Sequence, residues 1–100
     1  MNKLDHLMKE IQSFSDAAFG DPSQRNEMGT LHHLKMEIDE LIENPNSPLE
    51  WADCMLLLLD AARRKGYTPD QIFDFCLQKL EINKKRKWVK IENNVYIHKE

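Results

Sequence analysis

The sequence has few chain breakers, few cysteines and no long apolar run. Its 100 residues include three glycines, four prolines and two cysteines. So little Gly and Pro excludes a collagen-like or low-complexity chain, and 41% hydrophobic content excludes a disordered one. The longest unbroken apolar stretch is Cys54 to Leu59. It is far short of the ~20 residues that a membrane span needs. Cys54 and Cys76 lack the Cys-x-x-Cys spacing of a zinc site. Lying in apolar stretches, they are expected to be buried free thiols in a reduced compartment. No apolar core of a signal peptide fits Met1-Asn2-Lys3-Leu4-Asp5-His6, so the cytoplasm is the expected compartment. An excess of positive charge is also missing. Fourteen Lys and Arg against seventeen Asp and Glu leave a net charge of −3, which offers no general attraction to a nucleic-acid backbone. Neither nucleic acid nor a membrane is an expected partner.

What is present is helical periodicity, in a length that makes about one domain, 1–100. Leu4, Leu7, Met8, Ile11 and Phe14 form one stripe of a helix over about Leu4 to Ala17. A loop rich in Gly, Pro, Asp and Asn follows, from Phe19 to Asn26. A second helix is expected to start near Thr30 as N-cap and to end at Asn44, before Pro45. Ser47-Pro48-Leu49-Glu50 has the form of a capping box with proline at the first helical position. Gly66, after Arg63, Arg64 and Lys65, closes that third helix. Its apolar surface, Trp51 through Leu59, is wide enough to be buried on several sides, which a single short chain cannot do. A homo-oligomer, dimer or tetramer, is therefore expected. A fourth helix starts at Thr68-Pro69-Asp70-Gln71 and runs to about Lys87. The tail, residues 88–100, alternates weakly around Asn93-Asn94 and suits a small hairpin or an extended arm. The expected fold is all-α: an antiparallel four-helix bundle with that short tail, completed by oligomerisation.

Acidic residues recur at a spacing that carries chemistry. Glu37 and Glu40 lie on the second helix, Glu50 and Asp53 on the third, each pair spaced i, i+3 and so on one side of its helix. A short turn makes the two helices antiparallel neighbours, so four carboxylates can meet near one end of the pair. Like charges that close repel, and a divalent cation offsets the repulsion. Oxygen ligands without a Cys or His partner suit Mg²⁺ or Mn²⁺. Each acid also has a purely structural role open to it: Glu50 within the capping box, the other three on a solvated face. His33 shares the face of Glu37 and Glu40, and Asp60 that of Asp53. Asp60 can instead pair with Arg63 or Arg64. On the fourth helix Lys79, Asn83 and Arg86 are spaced i, i+4, i+7 and can grip a polyphosphate. The same basic run also suits the negative end of the helix dipole. Trp51 sits about 100° from Glu50 on a helix, off the ligand face, and is expected in the core, with lining of a base pocket as the alternative. Phe14, Phe19 and Trp88 are candidates for stacking on a base or for packing.

These residues, in this order, resemble the MazG-like all-α nucleoside triphosphate pyrophosphohydrolases, whose pattern is ExxE on one helix and ExxD on the next. Here it reads Glu37-Ile38-Asp39-Glu40 and Glu50-Trp51-Ala52-Asp53. A closer resemblance, from about Phe19 to Trp88, is to the dATP/dGTP pyrophosphohydrolases of the MazZ-type phage and bacterial subgroup. It rests on Phe19-Gly20, Arg25, His33-Leu34, the two acidic pairs, Leu58 to Gly66 and Lys79 to Trp88. The chain departs from the wider superfamily at Met36, where an extra Glu is common. The resemblance implies hydrolysis of a (deoxy)nucleoside triphosphate to its monophosphate and pyrophosphate, in a bacterial or phage-infected host cytoplasm. It implies Mg²⁺, with Mn²⁺ as substitute, as two or more ions on Glu37, Glu40, Glu50 and Asp53. Lys79, Asn83, Arg86, His33, Arg25 and Asp60 are then the candidate substrate-binding residues. The competing function is a non-catalytic helical oligomerisation module. A DNA-associated protein ranks last, for want of a basic recognition helix.

Overall fold

A computed structural model describes residues 2–99 and contains four helices and a two-stranded hairpin. The chain divides into two compact units, Met1–Pro69 and Asp70–Glu100. Helices α1 (Lys3–Phe19), α2 (Glu27–Glu43) and α3 (Pro48–Lys65) make up the first. Helix α4 (Pro69–Lys84) leads into the second, which ends in strands β1 (Lys87–Lys90) and β2 (Tyr96–Lys99). No helix among the described residues is long and apolar enough to cross a membrane.

Helix boundaries follow the best local caps. Asn2 caps α1 by accepting from the Asp5 amide at 2.8 Å. Helix α2 starts three residues before the expected Thr30, because Asn26 accepts from the amides of Met28 and Gly29. Thr30 is instead fully buried inside the helix. Helix α3 starts at Pro48 as expected, but Ser47 makes no side-chain cap bond, so no capping box forms and Glu50 is released from that role. Gly66, at φ 105° and ψ 11°, ends α3, where Gly66 and Tyr67 amides return to the carbonyls of Arg63 and Ala62. Helix α4 stops at Lys84, short of the expected Lys87. Lys85 and Arg86 tighten the last turn onto the carbonyls of Ile82 and Asn83, and the Trp88 indole also donates to Asn83 O, at 2.9 Å.

The tail is a hairpin, with Lys87 opposite Lys99, Trp88 opposite His98, Val89 opposite Ile97 and Lys90 opposite Tyr96. Asn93 and Asn94 both take positive φ, 59° and 60°, the left-handed pair that a tight two-residue hairpin turn requires and that Asn tolerates. The Val95 amide closes the turn on Glu92 O, and the Trp88 and His98 rings meet edge to face.

The core of the first unit is small: Met8 and Ile11 from α1, Leu34 from α2, Leu57 and Ala61 from α3. Its interior is also polar. The Arg64 side chain has no exposed surface, and Asp60 and Ser15 are each 3% exposed. Arg64 Nε donates to Asp60 Oδ2 at 2.9 Å, and Nη2 donates to Ser15 Oγ at 2.7 Å and Gly20 O at 2.8 Å. Its Nη1 donates to Arg25 O at 2.6 Å. Arg63 bridges Asp60 and Asp16, at 2.7 and 2.8 Å. One guanidinium thus ties α3 to α1 and to the α1–α2 loop. Gly20 itself, at φ 95°, could not carry a side chain, since a Cβ there would stand 2.9 Å from Gln24 Cβ.

Three expected burials fail. Cys76 is exposed and Cys54 only half-buried. Trp51 is 55% exposed, with its indole donating to Pro45 O at 2.8 Å, so it fastens the α2–α3 turn and does not enter the core.

Asp60→Ala should destabilise the fold by about 3–5 kcal/mol in chemical denaturation, because it leaves a buried guanidinium uncompensated. Burial is the largest influence on Asp60 and pushes its carboxyl up. The hydrogen bonds from Ser15, Arg63 and Arg64 and the Arg63 charge outweigh it and hold the pKa below the usual aspartate value. That stabilisation is complete above the unfolded-state pKa and is lost as pH falls through the lower folded-state value. Melting temperature should therefore drop on acidification below about pH 4. Asp60→Asn should flatten that drop.

Candidate active site

Helices α2 and α3 are joined by the short turn from Asn44 to Ser47, which sets late α2 against early α3. Glu37 and Glu40, one turn apart on α2, there face Glu50 in the first turn of α3. One carboxylate oxygen from each of the three lies within 4.8 Å of the other two. Asp53 stands outside this triplet, yet its charge acts on Glu37. Glu37 is pushed above the usual carboxylate range, first by a hydrogen bond with Glu40, then by burial and by the charges of Glu40, Asp53 and Glu50. Crowding of the carboxylates thus disfavours the ionised form of Glu37 when no cation is near. Among the described residues no lysine or arginine pairs with any of the four.

Glu50 Oε2 is buried and makes no hydrogen bond. An orphaned carboxylate oxygen beside two more carboxylates is costly in a bare protein and is satisfied by a cation. The donor set is all hard oxygen, which fits a divalent ion such as Mg²⁺ or Mn²⁺. Cys54, one residue after Asp53, does not compete for that ion. Burial and the four surrounding acids push its thiol pKa up and keep it protonated.

Beside the acids, α1, α2 and α3 enclose a cleft of about 380 Å³. Leu7, Ile11 and Phe14 of α1 and Leu56 and Leu57 of α3 form its apolar walls. Glu37 and Asp53 line it too, so an apolar chamber adjoins the acid cluster directly. Phe19 closes one side. Its ring meets Phe14 and His33 edge to face, at 5.8 and 5.7 Å, and the Arg25 guanidinium lies 4.7 Å from its centroid.

The site residues expected from sequence divide clearly. Glu37, Glu40 and Glu50 converge, and Asp53 lies alongside. His33 lines the cleft with Nε2 3.6 Å from Glu37, and Arg25 reaches His33 Nδ1 at 3.2 Å. Asp60 also touches the cleft, but both its oxygens are taken by Ser15, Arg63 and Arg64, which fits the expected ion pair. Lys79, Asn83 and Arg86 belong to the second unit. Lys79 is exposed, Asn83 and Arg86 are half-buried, and Arg86 lies past the end of α4, so the three do not form one helical stripe. Of the α1 residues at the cleft, sequence pointed only to Phe14 and Phe19, as candidates for stacking or packing; Leu7, Glu10, Ile11 and Ser15 were not anticipated. The only further signal from α1 is Ser15-Asp16, a polar step at the end of the stripe ending in Phe14.

A family model of dATP/dGTP pyrophosphohydrolases matches residues 5–98. The chain is 42% identical over 84 residues to the Eaa protein of Salmonella phage P22, a match that covers 84% of this chain and 26% of that protein. It is 36% identical over 72 residues to the dATP/dGTP diphosphohydrolase of Cyanophage S-2L, covering 70% of this chain and 66% of that one. The chain thus spans about a quarter of the first relative and just under two thirds of the second. Among solved structures it is similar to the Cyanophage S-2L MazG-like pyrophosphohydrolase bound to dGDP and three catalytic Mn²⁺ ions per active site. That likeness has a TM-score of 0.82 at 30% identity and covers both chains in full. With its acid cluster, its adjoining cleft and these matches, the chain belongs to the dATP/dGTP pyrophosphohydrolase family.

Proposed function

We propose that the chain hydrolyses dATP and dGTP to the monophosphate and pyrophosphate, with divalent cations held by Glu37, Glu40, Glu50 and Asp53. The observation that carries this is the convergence of Glu37, Glu40 and Glu50 within 4.8 Å, with Glu50 Oε2 buried and unpartnered. Family membership and the ions and dGDP bound by the S-2L enzyme support it. Bound ions would supply Lewis-acid polarisation of the phosphoryl oxygens. A triphosphate is strongly anionic and would be repelled by bare carboxylates, so acids and substrate are compatible only with cations between them.

The protein's own groups do the rest. The apolar walls of the cleft receive the base and exclude water from its faces, in a volume suited to a small ligand. Glu37 and Asp53 line both cleft and cluster, so a base seated in the chamber directs its phosphates toward the acids. Any of the four acids not engaged by a cation can orient the attacking water and accept its proton. Lys79, Asn83 and Arg86, on the second unit, are the candidate residues for binding phosphate. The working form is a dimer or tetramer. Trp51, Met55 and Leu58 on α3 and Phe73, Leu77 and Leu80 on α4 are exposed large apolar residues that assembly would cover.

Protein incubated with Mn²⁺ or Mg²⁺ should convert dATP and dGTP to monophosphate and pyrophosphate, as read by chromatography of the products. Absence of turnover across the common nucleotides would leave only a helical oligomerisation module. Asp53→Asn should lower kcat by ~100-fold or more while helical content by circular dichroism stays unchanged. Glu40→Gln should abolish turnover and also raise the metal-free melting temperature by about 1–3 °C, since it removes like-charge repulsion. The rise in melting temperature with Mn²⁺, present in the wild type because the ion binds only the folded state, should disappear in that variant.

A further inference from the structure

A run of hydrogen bonds reaches His33, whose far ring nitrogen stands next to the acid cluster. Arg64, immobile in the interior, donates to Arg25 O at 2.6 Å and so fixes the Arg25 backbone. The Arg25 guanidinium lies against the Phe19 ring, 4.7 Å from its centroid, and Nη2 donates to Gly29 O at 3.3 Å and to His33 Nδ1 at 3.2 Å. Arginine has donors only, so Nδ1 must be the acceptor. The imidazole proton then sits on Nε2, which faces Glu37 Oε1 at 3.6 Å. Phe19 meets the same imidazole edge to face at 5.7 Å and restricts its rotation.

The geometry points to His33 as a positioning residue for Glu37, with Arg25 selecting its tautomer. His33 and Arg25 thereby act on the cation through Glu37 and need no contact with the nucleotide. An N–H donor this close to a carboxylate ligand attracts one of its oxygens and leaves the other turned to the ion, so the carboxylate loses less freedom when the ion binds. With Arg25 donating at Nδ1, Nε2 is the nitrogen left to carry the N–H toward Glu37. Lysine at position 25 would not serve. A single ammonium cannot stack on Phe19 while donating to both Gly29 and His33.

This inference rests on the proposed cation site and nucleotide hydrolysis, and its test separates the two. Mn²⁺ affinity is measured by calorimetry on the full chain without nucleotide, and kcat and KM for dGTP are measured alongside. His33→Ala should weaken Mn²⁺ binding and lower kcat, each by ~10–100-fold, with KM changed less than about twofold. His33→Gln, whose amide can accept from Arg25 and donate to Glu37, should recover a large part of both losses. Arg25→Lys should behave as a milder His33→Ala. Unchanged Mn²⁺ affinity in His33→Ala, or a loss confined to KM, would overturn the positioning role. Failure of His33→Gln to recover anything, with its melting temperature at the wild-type value, would overturn it equally. Mn²⁺ binding by a wild type without turnover would instead count against the hydrolytic function alone, since the calorimetric comparison still decides the role of His33.

Discussion

A guanidinium in the interior organises the first unit. Arg64 has no water to solvate it, so every donor it carries must find an acceptor within the protein. It finds them on three separate pieces of chain: Asp60 on its own helix, Ser15 on α1, and the carbonyls of Gly20 and Arg25 in the loop. A hydrophobic contact would hold these pieces near one another but would not fix their register. Hydrogen bonds with defined directions do, and the carbonyls of Gly20 and Arg25 can be met only in one loop conformation. The loop in turn carries Arg25, whose guanidinium lies against Phe19, the last residue of α1, at the wall of the cleft. Burial of an ion pair is a poor route to stability, and its use here is consistent with a need for a single geometry.

Part of this was legible in the sequence. The 3–4 periodicity and the Pro and Gly signals located all four helices, because those signals act within a few residues of each other. The two acidic pairs could be read as convergent because a short turn leaves no freedom in how α2 and α3 lie. Asp60 could be seen to pair with Arg63 or Arg64, since i+3 and i+4 partners are local. Caps were less legible. Asn26 and Thr30 are both competent N-caps by type, and only the burial of Thr30 decides between them. Ser47 with Glu50 has the form of a capping box, yet Glu50 turns toward the acids of α2. Beyond Phe14 and Phe19, open to stacking or to packing, the contribution of α1 to the cleft was not legible. It depends on Ser15 and Asp16 meeting residues 45 or more positions away, and nothing in a one-dimensional pattern records that.

The freed Glu50 shows how a local motif can mislead and inform at once. Had the capping box formed, its carboxylate would be occupied by the Ser47 amide. Proline at position 48 lacks an N–H, so one of the orphan donors of the helix start is already absent and the cap is less needed. The backbone closes the first turn with the Glu50 and Trp51 amides on Ser47 O, and the Trp51 indole bonds Pro45 O. With the helix start secured by these contacts, the Glu50 side chain is available to the cluster, and one of its oxygens remains buried and unsatisfied.

Cluster and cleft strengthen one another physically. Apolar walls lower the local polarisability around Glu37 and Asp53, so charge interactions at that edge are stronger than on an open surface. The same surroundings make the cation-free cluster unfavourable, and they push the Glu37 carboxyl above its usual range. A cation then gains from relieving repulsion as well as from its own coordination, and the gain is larger the more firmly the carboxylates are held in place. Holding them is what a short α2–α3 turn, an indole clamp at Pro45 and an oriented imidazole at Glu37 do together. The acids are destabilising as a bare group, and among the described residues no lysine or arginine pairs with them and neutralises them in the wrong geometry. Such an arrangement trades stability of the empty protein for affinity at one point, which is the expected signature of a site under functional constraint.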